Sequence, residues 1–312
     1  MNSRPTFASH AEFAAGRTDT AFWWPHVAEI LRRHDFLGTE HRVVAGHNSS
    51  YPTFLYGEVV VKLFGHGQTW RVRHAAERSA YALLATDPSI SAPRVVAEGQ
   101  VYDGDTDAWP YLVTSRMPGV AIERADLSLD QERAVVAEVG RQVRRIHALS
   151  PTGVPRHADW ATVSISEAAA RSSLPPHLAA QAEAYVARLG PFEQVVTHGD
   201  IVANHVYVED GVFRGIIDWG DMTVTDRHVE LIQVYRDLCH LDKGLFRAFL
   251  TAAEWPAGAD FPRKALGYAL HRQAVGLAQH NGIDVFMPIA EKYPLGEIAT
   301  LDELATLLFD NL

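Results

Sequence analysis

The sequence predicts an α+β fold of two lobes, a β-rich N-terminal lobe and a mainly helical C-terminal one. Short β-branched and aromatic runs fill the first 117 residues, and helical periodicity dominates from residue 118 onward. Met117-Pro118-Gly119 interrupts the pattern between them. The expected lobes are therefore 1–117 and 118–312. A chain of 312 residues, 47% apolar and 21% charged, is long enough for two cores and falls in the ordinary globular class.

Taken in order, a helix is expected over 20–37, capped by Asp19 or Thr20, with Val27, Ile30 and Leu31 at helical spacing. A strand over Val43-Val44-Ala45 runs into the small-residue loop Gly46 to Ser50, whose backbone N–H groups could wrap phosphates. Thr53–Glu58 and Val59–Phe64 read as a hairpin around Gly57. A helix over 71–85 follows, with Ala76, Ala80, Leu83 and Leu84 on one side. Pro93–Val96 and Tyr111–Ser115 are strands separated by the acidic turn Asp103-Gly104-Asp105. Past the break, 128–149 is an amphipathic helix with Val135, Val136, Val139, Val143, Ile146 and Leu149 on its apolar face, closed by Pro151 to Pro155. Further helices are expected over 175–189, 227–251 and 262–280.

Lys62 lies inside the apolar run Val59–Phe64, and a central-strand lysine is costly to bury without a partner. Glu77, in the following helix, is placed to reach it. A strand lysine paired with a helix glutamate is how protein kinases hold the α/β-phosphates of a nucleotide. The alternative is an edge-strand lysine extending to water.

The second chemical signal is the stretch Val196–Asp221. Asp210-Gly211 suits a two-residue turn with positive φ at both positions, and apolar runs flank it. With that turn, Val208 faces Phe213, His205 faces Ile216, and Ala203 faces Asp218. The hairpin would bring Asp218 to the end where Asp200, Asn204 and His205 lie. Two carboxylates, an imidazole and an amide there suit a divalent cation and a proton acceptor.

Charge narrows the partners. The formal net charge is −10; residues 1–118 carry 11 Lys/Arg and 12 Asp/Glu, and residues 119–312 carry 17 and 26. An acidic second half disfavours nucleic acid and anionic membranes and could concentrate a cationic ligand. Cys239 is the only cysteine, so no intrachain disulfide forms. The apolar cluster Ala21–Trp24 stops at Pro25, which argues against a signal peptide, and no run reaches membrane-spanning length. A cytoplasmic monomer is expected. A P-loop, a dinucleotide fingerprint, a G-x-S-x-G elbow and an H-E-x-x-H helix are all missing from the sequence.

A β-rich lobe with a Lys–Glu pair, a hinge and a helical lobe bearing an acid-tipped hairpin is the layout of a protein-kinase-like fold. His198-Gly199-Asp200-Ile201-Val202-Ala203-Asn204-His205, followed by Gly215-Ile216-Ile217-Asp218-Trp219, resembles the aminoglycoside phosphotransferase family of small-molecule kinases. Phe22–Pro25, Val61–Gly65, Ala108–Val113 and Ser115–Gly119 look like the hygromycin B 7″-phosphotransferase subgroup. The family usually has Asn five residues after its catalytic Asp, whereas this chain has His205 there, preceded by Asn204. That variant resembles aminoglycoside 2″-phosphotransferases, and a His there also occurs in macrolide kinases, which Val224-Thr225-Asp226 resembles too.

The resemblance implies roles residue by residue. Lys62 would hold the nucleotide phosphates, oriented by Glu77; Ser115 C=O and Met117 N–H would bind the adenine edge. Asp200 would be the catalytic proton acceptor, with His205 and Asp218 as Mg²⁺ ligands. The implied activity is ATP- and Mg²⁺-dependent phosphorylation of a hydroxyl on a cationic antibiotic of the hygromycin B kind. Acids and aromatic rings after the hairpin, Trp219, Asp221, Glu230, Tyr235 and Asp237, are the expected acceptor contacts. A macrolide or metabolic hydroxyl kinase using ATP or GTP, and a non-catalytic nucleotide- or drug-binding protein, remain the alternatives.

Overall fold

The computed structural model of the chain describes residues 4–38, 41–47, 49–67, 69–102, 108–154, 163–190, 193–278 and 282–310. Two compact units divide it, Met1–Pro118 and Gly119–Leu312. Of the sequence expectations, Asn48 of the phosphate-loop candidate, the turn Asp103-Gly104-Asp105, Pro155 and the last two positions of the helix over 262–280 lie outside the described residues.

The first unit is built on an antiparallel sheet of β1 (Val44–Ala45), β2 (Thr53–Tyr56), β3 (Val59–Leu63), β4 (Val95–Val101) and β5 (Trp109–Ser115), in the order β1-β2-β3-β5-β4. Period-two alternation puts Val59, Val61 and Leu63 of β3 into the core and turns Val60 and Lys62 to the other face. The core pairs those residues with Trp23, Val27, Ile30 and Leu31 from the helix Thr20–Arg33 and with Trp109, Tyr111 and Val113 from β5. Asp19 caps that helix by accepting from Ala21 N and Phe22 N. The helix stops at Arg33 and does not run to 37, because Asp35 takes a left-handed backbone with φ 57°. The helix Trp70–Leu84 carries Glu77 among its buried residues. In the small-residue loop, Gly46 N–H donates to Thr53 C=O, so that donor is already engaged in strand pairing.

The second unit holds the three-stranded sheet β6 (Val120–Ala121), β8 (Val206–Glu209) and β9 (Val212–Ile216), ordered β6-β8-β9, and a separate pair of β7 (Gln194–Thr197) with β10 (Thr223–Asp226). Its helix Leu129–His147 starts at a capping box between Ser128 and Gln131 and buries Val135, Val136, Val139, Val143 and Ile146. The helix Phe261–Ala278 is apolar around most of its girth, as a helix packed on several sides must be. It contacts the helices Ile165–Ala170, Ala182–Val186 and Leu301–Phe309.

Two expected helices are broken. In place of one helix over 175–189 there are Pro176–Ala179 and Ala182–Val186, separated where Gln181 N switches to Leu178 C=O, a tighter turn. The span 227–251 opens with a 3₁₀ turn, Arg227–Glu230, and one α-turn, Leu231–Gln233. It then widens into a π-helical stretch, Val234–Leu238, closed by Cys239 N donating to Val234 C=O. His240 and Leu241, with φ 51° and 57°, end it, and Asp242 caps a new helix, Lys243–Ala252. Among the described residues no helix is long and apolar enough to cross a membrane.

Candidate active site

In the first unit the strand–helix pairing forms. Lys62 Nζ lies 2.7 Å from Glu77 Oε2, with the two side chains only 15% and 5% exposed. Charges withdrawn from water this far require a partner at contact distance, and each is that partner for the other. The Nζ also sits 5.6 Å from the Phe64 ring centroid. Ser115 ends β5, anchored by its N–H to Arg94 C=O and its Oγ, which accepts from Arg94 N; Arg116 N donates to Glu58 C=O. Met117 follows at the end of the unit.

In the second unit the loop after β7 is fixed before any ligand is considered. Gly199 has φ 86°, and a Cβ there would lie 2.3 Å from Asp221 C=O, so only glycine fits. The Glu230 carboxylate accepts from His198 N at 2.7 Å and Gly199 N at 3.2 Å through Oε1, and from His147 Nε2 at 2.8 Å through Oε2. Burial pushes this carboxyl up, but the hydrogen bond and charge of His147, with His198 and the backbone donors, outweigh it and hold it below the ordinary range. His198 donates Nε2–H to Ile217 C=O at 3.0 Å and accepts Asp200 N–H on Nδ1 at 3.1 Å, which defines a neutral tautomer. Burial, with the nearby His205, likewise lowers its pKa.

Asp200 itself is held on one oxygen. Gln233 Nε2 donates to Oδ1 at 2.7 Å, and Arg272 Nη2 lies 3.5 Å from the same atom. Arg272 Nη1 also donates to Gly199 C=O at 3.0 Å. Burial lowers the Arg272 pKa to about 10 against the opposing charge of Asp200, which leaves the guanidinium charged at neutral pH. Asp200 Oδ2 is 3.5 Å from His205 Nδ1.

The hairpin brings His205 and Asp218 together, but not in the expected register. The turn is as read, with Asp210 and Gly211 at φ 53° and 76°, and Val208 faces Phe213. A bulge between Tyr207 and Val208 then pairs Tyr207 with Gly215 and Val206 with Ile216, leaving Arg214 as the extra residue. His205 is consequently bonded through its C=O to Ile217 N, not paired with Ile216, and Ala203 lies in a 3₁₀ turn, Ala203–His205, outside the ladder that was expected to set it opposite Asp218. Asp218 adopts the left-handed region, φ 63° and ψ 67°, a conformation uncommon outside glycine and concentrated at functional sites.

His205 donates Nδ1–H to Asp200 C=O at 2.8 Å, which leaves the Nε2 lone pair outward, 3.5 Å from Asp218 Oδ2. Two ligands about 2.1 Å from one Mg²⁺ ion can lie at most about 4.2 Å apart, so this N/O pair fits a shared cation. Among the described residues no group of three or more His, Cys, Asp or Glu forms a metal cage. A two-ligand site completed by water and phosphate oxygens is the ordinary Mg²⁺ arrangement. Asn204 Oδ1 is a buried acceptor with no partner among the described residues.

The expected acceptor contacts fare differently. Trp219 is fully buried, its Nε1 donating to Ile216 C=O at 2.8 Å and its ring 4.4 Å from that of His198. Tyr235 is fully buried against Phe246, with ring centroids 4.6 Å apart. Glu230 is 1% exposed and engaged as above. These three are withdrawn from solvent: Trp219 and Glu230 pack against the loop at His198 and Gly199, and Tyr235 packs against Phe246 and Phe309. Asp221 and Asp237 keep partial exposure, Asp237 in a bidentate pair with Arg236 at 2.6 Å on both arms. Gln233, Arg272 and His147 were not anticipated. The available signal was polar residues inside apolar stretches: Glu230 and Gln233 stand one turn apart among Val229, Leu231, Ile232 and Val234.

Comparison with known proteins identifies the fold and the family. An aminoglycoside 3′-phosphotransferase of Streptomyces fradiae is 33% identical over a match covering 48% of this chain and 59% of that protein, less than two thirds of the relative's length. Among solved structures, the GDP and kanamycin complex of APH(2″)-IIIa superposes with a TM-score of 0.64 at 16% identity, over 92% of this chain and 100% of the other. Macrolide 2′-phosphotransferase MphH of Brachybacterium faecium gives 0.58 at 17%, over 92% and 98%. These structural likenesses show the kinase-like α+β fold. The model of the phosphotransferase enzyme family matches residues 42–285, most of the sequence, and the chain belongs to that family.

Proposed function

We propose that the protein transfers the γ-phosphoryl group of ATP to a hydroxyl of an aminoglycoside of the hygromycin B kind. The observation that carries this is the arrangement around Asp200. One carboxylate oxygen is held by Gln233 and Arg272, and the His205–Asp218 pair sits beside it at the hairpin end.

In this reading Lys62, held by Glu77, binds the nucleotide α/β-phosphates, and the backbone of Ser115 and Met117 takes the adenine edge. The acceptor hydroxyl lies against Asp200 Oδ2. The acceptor oxygen bonds to the γ-phosphorus as the bond to the β–γ bridging oxygen breaks; the hydroxyl proton passes to Asp200 and ADP leaves. Phosphoryl transfer proceeds through a loose transition state, so alignment matters more than base strength. A Mg²⁺ ion held by His205 Nε2 and Asp218 would neutralise charge on the phosphate oxygens.

A second reading has a specific observation in its favour. Glu230, Trp219 and Tyr235 are withdrawn from solvent, which thins the acidic, aromatic surface that an ammonium-rich acceptor would use. A less cationic acceptor such as a macrolide becomes correspondingly more compatible. Incubation with ATP or GTP, Mg²⁺ and a panel including hygromycin B and erythromycin, followed by mass spectrometry, separates the two. The product is expected to gain one phosphate, and Asp200→Ala is expected to lose transfer. A wild-type rate in Asp200→Ala would refute the assigned chemistry.

A further inference from the structure

We infer that Arg272, in the helix Phe261–Ala278, is a positioning residue that clamps the reactive loop and aims the Asp200 carboxylate. The inference rests on the phosphoryl-transfer reading for its kinetic consequence, but its geometry stands apart from any substrate.

Arg272 holds two consecutive residues at once. Nη1 donates to Gly199 C=O at 3.0 Å while Nη2 stands 3.5 Å from Asp200 Oδ1. Gly199 is the point at which the loop is least able to adjust, since its left-handed backbone packs directly on Asp221 C=O. A rigid planar fork bridging a carbonyl and the neighbouring carboxylate fixes the rotation of Asp200 about its side-chain bonds; a single-point ammonium cannot do this. Gln233 supplies the third contact, again to Oδ1. Gln233 and Arg272 therefore converge on Oδ1, while the His205 Nδ1–H that stands 3.5 Å from Oδ2 is given to Asp200 C=O, which leaves Oδ2 as the proton-accepting atom.

The electrostatics point the same way. Arg272 is only 15% exposed, and the charges acting on it are those of Asp200, Arg236, Asp237 and Glu230. The Arg236 guanidinium is already occupied by both oxygens of Asp237. Arg272 is thus the cation positioned to balance Asp200. An arginine only 15% exposed at this point of the helix carries a desolvation cost that a methionine of similar volume would not, and the contacts to Gly199 and Asp200 are what offset it.

The test compares wild type, Arg272→Lys, Arg272→Ala and the exposed-arginine control Arg188→Ala. It measures kcat and KM for nucleotide and acceptor, together with amide hydrogen exchange over 198–201. Misaiming the acceptor carboxylate by about an ångström costs on the order of 100-fold, so Arg272→Ala is expected to lose about 30- to 100-fold in kcat. Both KM values should stay within about threefold of wild type, the split that separates transition-state from uniform binding. Arg272→Lys, which restores the charge but not the two-point bridge, should fall between, and millimolar guanidinium should partly rescue Arg272→Ala. Arg188→Ala should match wild type.

A kcat for Arg272→Ala within about twofold of wild type, or a raised KM at unchanged kcat, overturns the positioning role. If Arg272→Ala does not fold, Arg272→Lys decides on the same criteria. If wild type phosphorylates nothing in the panel, the transfer reading fails and exchange decides alone. Exchange about tenfold faster at Gly199 and Asp200, with the helix Leu129–His147 unchanged, supports the clamp; unchanged exchange there overturns it.

Discussion

Glu230→Ala separates a residue that holds the loop from one that greets a substrate. The carboxylate is 1% exposed and accepts three hydrogen bonds, from His198 N, Gly199 N and His147 Nε2. Removing it strands three buried donors at about 1–3 kcal/mol each, an upper sum of about 9 kcal/mol before any relaxation. Water entry and side-chain movement reduce this toward the roughly 3–5 kcal/mol typical of a broken buried pair. Glu230→Gln keeps one carbonyl oxygen for the two backbone donors and should cost less, about 1–2 kcal/mol. The assay is urea unfolding followed by intrinsic fluorescence, with Trp219 buried against His198 as an internal reporter. A double-mutant cycle with His147→Phe should show coupling of about 1–3 kcal/mol, since the two residues are in contact. A Glu230→Ala protein of unchanged stability with a raised acceptor KM would refute this account. It would return Glu230 to the acceptor surface, where its charge alone placed it.

Two further outcomes follow from the same physical terms. Lys62→Met removes the partner 2.7 Å from a Glu77 carboxylate that is 5% exposed, and should destabilise the protein by up to about 3–5 kcal/mol. Adding Glu77→Gln should recover much of that stability in thermal melts while nucleotide affinity stays weak; recovered affinity would mean that Lys62 does not hold phosphate. The second outcome concerns pH. Glu230 and Asp226 are both held below the ordinary carboxylate range, each against burial, by His147 and His228 respectively among other donors. A depressed carboxyl binds fewer protons folded than unfolded, so its contribution is complete above the unfolded value near 4 and is lost as pH falls below it. Urea midpoints should therefore drop steeply from pH 5 toward pH 3, and the Glu230→Gln variant should show a shallower drop; equal slopes would count against the role of Glu230.

How far the sequence could be read depended on where the physical cause of each feature lies. Lys62 announced its need for a partner because a charge inside Val59–Phe64 violates the local pattern, and Glu77 in the next helix supplies that partner. Asp210-Gly211 likewise fixed its turn through backbone chemistry that two residues contain by themselves. The bulge at Arg214 was invisible, since one extra residue leaves Phe213, Gly215 and Ile216 looking equally strand-like in either register. It reshapes the candidate site all the same: it moves His205 from opposite Ile216 to opposite Ile217 and so sets which atoms meet Asp218.

The burial of three expected acceptor contacts was missed for a different reason. Trp219, Tyr235 and Glu230 have side chains equally suited to stacking on a sugar or binding an ammonium and to filling a core. Which occurs is decided by partners far along the chain: Phe246 for Tyr235, His147 for Glu230, and the His198 ring for Trp219. Arg272 shows the converse. Seventy-two positions separate it from Asp200, and nothing local in Ala269–Val275 marks it except that its charge has no evident water-facing side. A buried ion costs several kcal/mol unless it is paired. Glu230, Gln233 and Arg272, three polar residues inside apolar stretches of the second unit, therefore each imply a partner, and all three find it within the same three residues, His198 to Asp200. That convergence ties the loop down through backbone and side chain alike, and it gathers the Gln233 and Arg272 contacts to the Asp200 carboxylate on one oxygen.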